Sequence, residues 1–379
     1  MESGPVGYLN PDPPRWRQRP PSSVANLIVD ICWIPPSSDR LMELRRLGSS
    51  DLAISRLGFG AWSIGGSGWA YDGDADRDKT SLEALVHAVA AGVNWVDTAP
   101  TYGQGHSEEL VGRAVQQLGS ERALIFTKCG RHWDSPTAQP RSDLRPEAIR
   151  ADCEASLRRL GVEVIDLLQI HWPESPPHTP IEESWTQMRR LVDEGKIRAA
   201  GVSNFGVDLL ERCEAVGHVD SVQLPFSLIA RKSADGLLQW CAEHETAVLA
   251  YSPMQIGLLT DSFAPENIPA LHPDDWRRRH PEFQSPRLER NLMFRDGLRQ
   301  VGSAHDASVS AVAIAWVLAW PQVTGAIVGA RMAGQVDEWV HAADITLSDA
   351  DLGLIEELLQ RSGAGAGPMR PVQANTTST

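Results

Sequence analysis

The fold class predicted for this chain of 379 residues is a parallel (β/α)8 barrel. Three observations predict it. Short β-branched or apolar runs alternate with longer amphipathic stretches once the first 41 residues are past. There are eight such runs, the count that closes a barrel. Polar side chains able to do chemistry recur just where those runs end.

In chain order, the segments 43–47 and 52–54 flank Gly48-Ser49-Ser50-Asp51 and predict an N-terminal β-hairpin. Strands follow at 57–61, 93–96, 123–127, 164–170, 199–202, 221–224, 247–250 and 325–328. Between them, helical periodicity marks 82–91, 147–160, 181–194 and 207–216. Pro146 and Gly161 are the start and stop signals of one of these helices. A further helix at 309–320 is apolar all round and must be buried against the sheet. Long βα loops complete the single domain, expected over 42–361.

Residues 1–41 differ from the rest. They hold eight of the 26 prolines and no sustained period, so they predict a disordered extension. The apolar patch from Val24 to Ile34 lacks a small-residue cleavage pattern, which argues against a secretory signal. Met42 opens the patterned region, so the working expectation is that it is the true start and 1–41 a dispensable or mis-assigned extension. Residues 362–379 begin with Gly363-Ala364-Gly365-Ala366-Gly367-Pro368 and are expected to be a disordered tail.

Composition narrows the function. The hydrophobic share is 42% and the charged share 22%, as in soluble globular proteins. Net charge is −14, from 35 Lys and Arg against 49 Asp and Glu, which makes nucleic acid and anionic membranes poor partners. No apolar run is long enough to span a bilayer. The five cysteines, Cys32, Cys129, Cys153, Cys213 and Cys241, are widely spaced without a C-x-x-C, so a disulfide framework or zinc site is not expected, and the reading is cytoplasmic. Asp72-Gly73-Asp74-Ala75-Asp76-Arg77 resembles the opening of a calcium loop but has Arg77 where the turn glycine belongs; helix capping by Asp76 or Asp78 fits better. No metal is expected.

In such a barrel the chemistry lies at the C-terminal strand ends. There the sequence puts Asp97, Lys128, His171, Ser203-Asn204, Gln223, Tyr251 and Gly329-Ala330-Arg331, and the loop after the second strand adds Tyr102. A lysine ammonium near a phenol favours the phenolate, so Lys128 is expected to lower the Tyr102 pKa and make it a usable acid and base. Asp97 would keep the lysine charged and oriented, and His171 would polarise a carbonyl. That quartet suits carbonyl reduction: hydride arrives at carbon while Tyr102 protonates oxygen.

Five motifs carry a resemblance to a known family: Val96-Asp97-Thr98-Ala99-Pro100-Thr101-Tyr102-Gly103, Phe126-Thr127-Lys128, Asp166-Leu167-Leu168-Gln169-Ile170-His171-Trp172-Pro173, Gly201-Val202-Ser203-Asn204-Phe205 and Ala250-Tyr251-Ser252-Pro253. Together, in this order, they resemble the aldo-keto reductases. The resemblance runs from about Met42 to about Leu359. It implies a barrel that binds a nicotinamide cofactor without a Rossmann domain, consistent with the lack of a strand-linked G-x-G-x-x-G.

By that resemblance Tyr102 is the acid/base, with Lys128, Asp97 and His171 as its partners. Ser203, Asn204 and Gln223 would bond the nicotinamide carboxamide, and Tyr251 would stack on its ring. Ser252, Pro253, Met254, Gly257 and Leu258 would line the pyrophosphate, and Gly329, Arg331, Gln335 and Glu338 the adenosine end.

The adenosine end departs from the family pattern. Thr260-Asp261-Ser262 stands where relatives often have T-G-K, and Trp339 replaces the final Asn of G-A-R-x-P-E-Q-x-x-E-N. Arg331 remains able to pair with a 2′-phosphate, and Arg277-Arg278-Arg279 in the 254–290 loop is a candidate to fold over it. NADP(H) is therefore the favoured cofactor, with NAD(H) left open. Trp62, Trp133 and Trp172 are expected to wall the substrate pocket, Trp69 to overhang it, and Trp95 and Trp316 to be core residues.

The leading function is reduction of small aldehydes or ketones to alcohols. The alternatives are an NAD-dependent sugar or alcohol dehydrogenase on the same site, and a low-turnover cofactor-binding regulatory subunit.

Overall fold

A computed structural model of the chain describes residues 42–65, 75–119, 122–132, 141–271 and 275–371. The extension 1–41 and the residues Trp69, Asp72, Asp74 and Trp133 lie outside the described residues, as does everything after 371.

The hairpin pairs β1 (Leu44–Arg46) with β2 (Ala53–Ser55). Eight parallel strands then close a barrel: β3 (Leu57–Gly60), β4 (Trp95–Asp97), β5 (Leu124–Cys129), β8 (Ile165–Ile170), β9 (Ile197–Ser203), β10 (Ser221–Pro225), β11 (Ala247–Tyr251) and β12 (Val323–Val328), with β12 returning to pair with β3. A two-stranded ribbon, β6 (Arg131–His132) with β7 (Arg141–Ser142), rises from the loop after β5. Each barrel strand overlaps its predicted run, with ends differing by no more than two residues. The second strand starts late because Asn94 is engaged elsewhere: its Oδ1 accepts the Ser55 amide at 2.7 Å.

Helices α1 (Ala75–Ala90), α2 (His106–Leu118), α3 (Pro146–Leu160), α4 (Ile181–Asp193), α5 (Val207–Glu214), α6 (Leu237–Glu243), α7 (Arg287–Ala304), α8 (Val309–Leu318), α9 (Ala333–Asp337) and α10 (Asp349–Ser362) accompany the strands. α1 begins earlier than its apolar periodicity suggests, because its first turn is polar. Asp76 and Asp78 sit inside that turn, where negative charge favours a helix start. α8 is buried along its whole length, as its composition requires, and its N-cap Ser308 accepts the Ala311 amide at 3.0 Å. No single helix among the described residues is long and apolar enough to cross a membrane.

The barrel interior is packed from its N-terminal end. Leu47, Leu52 and Ile54 of the hairpin join Trp95, Phe126, Leu167 and Leu249 in one buried cluster. The Trp95 and Phe126 rings lie 4.9 Å apart, and the indole N–H donates to Ser55 O at 2.8 Å. Gly58 is required on the neighbouring strand, since a Cβ there would stand 2.3 Å from the Trp95 ring. Burying each such large side chain is worth about 1.5–3 kcal/mol. With one end plugged, the opposite mouth is left for the polar residues.

The C-terminal expectation needs correction. Residues 363–371 pack on the barrel rather than forming a free tail. Ala364 is buried, Ala366 bridges to Ala230, and the Arg231 amide donates to Ala366 O at 3.1 Å. The glycines that suggest a flexible linker serve close approach: a Cβ on Gly365 would lie 2.2 Å from Ile229 O.

Candidate active site

At the open end, Asp97 closes β4 with 3% of its surface exposed. Its Oδ1 accepts from Lys128 Nζ at 2.6 Å, and its Oδ2 from Gln223 Nε2 at 2.7 Å and Gln169 Nε2 at 3.4 Å. Lys128 Nζ also donates to Thr98 O at 3.0 Å. A buried ion pair is tolerable only with its remaining valences met, and strands β4, β5, β8 and β10 meet them together. Gln169 is a member of this network that sequence reasoning passed over. Its signal is a polar side chain within the wholly buried strand Ile165–Ile170.

Tyr102 is positioned by a tight turn after β4, in which its amide donates to Ala99 O at 3.1 Å. The turn lies against the end of the loop after β3: a Cβ on Gly103 (φ +63°) would fall 1.7 Å from Gly65 O. Lys128 Nζ stands 5.1 Å from the centre of the Tyr102 ring, and the His171 ring meets that ring edge-on at 5.9 Å.

Electrostatics correct one expectation. Burial first, then Asp97, pushes the Tyr102 phenol well above its ordinary pKa rather than below it, so Tyr102 is protonated at neutral pH. Burial, reinforced by the charges of Lys128 and Arg131, pulls His171 well below the usual histidine value, so its imidazole is neutral. Its Nδ1 is buried without a partner among the described residues. Burial also lowers Lys128, opposed by the Asp97 carboxylate.

Asn204 follows β9 in a left-handed conformation (φ 64°) and ties four strand ends together. Its amide donates to Gln223 O at 2.9 Å, its Nδ2 to His171 O at 3.1 Å and to Ser203 Oγ at 3.0 Å. Its Oδ1 accepts the Tyr251 hydroxyl at 2.8 Å. Beyond Tyr251 the chain runs through positive φ at Ser252, Gln255, Ile256 and Gly257, the kind of backbone that forms anion-binding concavities.

These residues line one cavity of about 1170 Å³. It is lined by Trp62, Asp97, Tyr102, His171, Trp172, Ser203, Asn204, Gln223 and Tyr251, together with Ser252, Pro253, Met254, Gly257, Gly329, Arg331, Gln335 and Glu338. Lys128 stands behind the wall. Leu258 departs from expectation: it is wholly buried among core side chains and does not reach the cavity. Trp95 and Trp316 are core residues as read from their neighbours.

Described residues of the 254–290 loop line the cavity. Trp276 packs against Trp62 with ring centres 6.1 Å apart, and Arg277 and His280 join the lining. Arg278 turns away to Leu271 O at 2.8 Å. Arg277 and Arg77 are near enough to Arg331 to add to the lowering of its pKa by burial. Asp261 is engaged by Arg299 Nε at 3.1 Å and the Val309 amide at 2.9 Å. No cluster able to hold a metal ion occurs among the described residues.

The cavity suits a dinucleotide together with a small substrate. It is larger than a small carbonyl compound needs, and its floor presents amide and hydroxyl groups from Ser203, Asn204 and Gln223. Comparison with known proteins decides the family, for the model of the aldo/keto reductase family matches residues 56–360. The chain belongs to that family. It is therefore an oxidoreductase of the aldo-keto reductase type, a family that uses nicotinamide cofactors.

Among aldo-keto reductases, it is 34% identical over 323 residues to the NADH-specific methylglyoxal reductase of Escherichia coli (strain K12), covering 83% of this chain and 97% of that protein. It is likewise 34% identical over 327 residues to the aldo-keto reductase YhdN of Bacillus subtilis (strain 168), covering 85% and 95%. The solved glycerol dehydrogenase AKR11B4 of Gluconobacter oxydans superposes with a TM-score of 0.76 at 36% identity, covering 89% of this chain and 98% of that one.

Proposed function

We propose that the protein reduces small aldehydes or ketones to alcohols, with Tyr102 as the proton donor and NADP(H) as the cofactor. The observation that carries this is the buried Lys128–Asp97 pair set behind Tyr102, with a neutral His171 edge-on to the same phenol.

Ser203, Asn204 and Gln223 would hold the nicotinamide carboxamide, and Tyr251, pinned through its hydroxyl, would offer its ring face to the nicotinamide. The cofactor supplies a hydride when bound. The neutral imidazole of His171 donates a hydrogen bond to the substrate carbonyl and turns its oxygen toward Tyr102. Tyr102 gives its proton to that oxygen as the carbon accepts hydride, and the product is the alcohol. The phenolate left on Tyr102 is stabilised by the Lys128 ammonium, which Asp97 and Thr98 O hold in place. Trp62 and Trp172 would bound the substrate, and the Trp276 strap would keep water out.

Tyr102 is protonated at neutral pH and so carries the proton that reduction needs. Alcohol oxidation uses the same residues in reverse and is the second reading, supported by the likeness to a glycerol dehydrogenase. NADP(H) is favoured because Arg331, Arg277 and Arg77 concentrate positive charge at the adenosine end, where a 2′-phosphate would relieve their mutual repulsion. NAD(H) draws support from the bidentate grip of Asp275 on Arg277, at 3.1 and 2.6 Å, and from the NADH-specific relative.

The test is steady-state turnover on panels of small carbonyls and alcohols with NADPH and NADH. Rapid carbonyl reduction with NADPH is expected. Tight cofactor binding without hydride transfer would instead favour a regulatory, non-catalytic role.

A further inference from the structure

A second cavity, of about 520 Å³, adjoins the first and shares Pro225, Ala230, Gln255 and Glu282 with it. No step of the proposed mechanism uses it. Its other walls are Lys232 and Ser233 from the loop after β10, the first turn of α7, and the backbone of the C-terminal strap at Gly363, Gly365 and Ala366.

Its charge is unlike that of the molecule. The chain carries −14 overall, yet this cavity is lined by Lys232, Arg287 and Arg290 against one carboxylate, Glu282. That carboxylate is already spent: Oε1 accepts from Arg287 Nη1 at 3.0 Å and Oε2 from Asn291 Nδ2 at 2.9 Å. Lys232 and Arg290 form no ion pair among the described residues.

A fourth cation lies behind the strap wall. Arg231 is 2% exposed, and among the described residues its guanidinium bonds only to the carbonyls of Leu228, Ala364 and Gly367. An arginine that deep is rarely left without a carboxylate. Burial pulls its pKa down to about 10. The N-terminal end of the 18-residue helix α7 adds its dipole to the same side. Positive potential is thus concentrated in one concave site, which raises the local concentration of anions.

We propose that this annex is an anion subsite, taking the phosphoryl or carboxylate group of a small molecule between Lys232 and Arg290. The group would come either from the far end of a substrate whose carbonyl reaches Tyr102, or from a free anion bound beside the active site. The subsite stands apart from the oxidoreductase reading, whereas the first of these two sources rests on it.

The test uses the full chain at low ionic strength. Inorganic phosphate is titrated calorimetrically into wild type and K232Q/R290Q, and NADPH and NADH affinities are measured separately by tryptophan quenching. Both substitutions are at exposed positions, and thermal unfolding checks that the variant is folded. The expected result is phosphate binding to wild type that weakens about tenfold or more in the variant, with cofactor affinity unchanged. Phosphate binding that survives K232Q/R290Q, no phosphate binding to wild type, or binding lost in R331Q instead would overturn the proposal.

Kinetics with dihydroxyacetone and dihydroxyacetone phosphate separate the two sources. If the anion is the substrate's, KM rises in the variant for the phosphorylated compound alone. If the anion is free, neither KM changes while phosphate binding is lost. Absence of turnover with both compounds would exclude them as substrates and leave the calorimetric result to decide the subsite.

Discussion

The Tyr251 hydroxyl donates to Oδ1 of Asn204 at 2.8 Å, and Asn204 makes that bond from a left-handed backbone with φ 64°. The ring of one residue is therefore fixed by the unusual conformation of the other, and the same asparagine holds His171 O through Nδ2. Asparagine tolerates this backbone better than alanine, for which the left-handed region costs about 1–2 kcal/mol.

Two substitutions separate these roles. Asn204→Gly should keep the backbone and lose the side chain, whereas Asn204→Ala should lose the side chain and strain the backbone. Both are expected to weaken nicotinamide cofactor binding by about tenfold or more, read by tryptophan quenching. Only Asn204→Ala should also carry the backbone penalty of about 1–2 kcal/mol in thermal unfolding. Equal cofactor affinity in wild type and both variants would remove Asn204 from the binding site.

Tyr102→Phe keeps the ring that packs between Lys128 and His171 but removes the proton. The expected loss in kcat is about 10²–10⁴-fold, with cofactor affinity unchanged. Near-normal turnover would show that another group donates the proton.

His171 predicts a pH dependence of stability. Its folded-state pKa lies well below 6.5, so above pH 6.5 neither folded nor unfolded chain is protonated there and the group contributes nothing. As pH falls below 6.5 the unfolded chain takes up a proton that the folded chain refuses, and stability declines by up to about 1.4 kcal/mol per pH unit. Chemical denaturation of wild type and His171→Asn from pH 7.5 to 5 should show a shallower acid slope in the variant. Identical slopes would mean that the histidine titrates normally in the fold.

Arg331→Gln should weaken NADPH about tenfold or more and leave NADH nearly unaffected, since only the 2′-phosphate is in question. A parallel loss for both cofactors would assign Arg331 to the adenosine ring or the pyrophosphate instead.

Arg231→Ala should be severe for a residue outside the active site. It leaves the carbonyls of Leu228, Ala364 and Gly367 without their donor and opens a void under the strap, at a cost of about 3 kcal/mol or more. Limited proteolysis should then cut the chain near residue 363. Arg231→Lys should rescue little, because an ammonium cannot span the same three carbonyls.

Much of this protein was legible in its sequence for a local physical reason. Strand and helix periods follow from which face of an element must be buried, so Ile165–Ile170 and Val309–Leu318 announce themselves without any knowledge of their neighbours. Strand ends in a closed parallel barrel converge on one mouth, so Asp97, Lys128, His171, Asn204 and Tyr251 could be gathered from positions far apart in the chain.

What only the tertiary structure decided depends on groups brought together from outside these patterns. The proximity of Lys128 suggests an acidified Tyr102, but burial outweighs one nearby charge and raises the phenol instead. Glycine-rich composition suggests a loose tail, but Gly365 and Gly367 supply the close backbone approach that lets the strap dock over Arg231. Trp276 meets Trp62, and Gln169 meets Asp97, only once the barrel has closed. Periodicity reports which way a side chain faces; desolvation, shared hydrogen bonds and close backbone approach belong to the assembled fold.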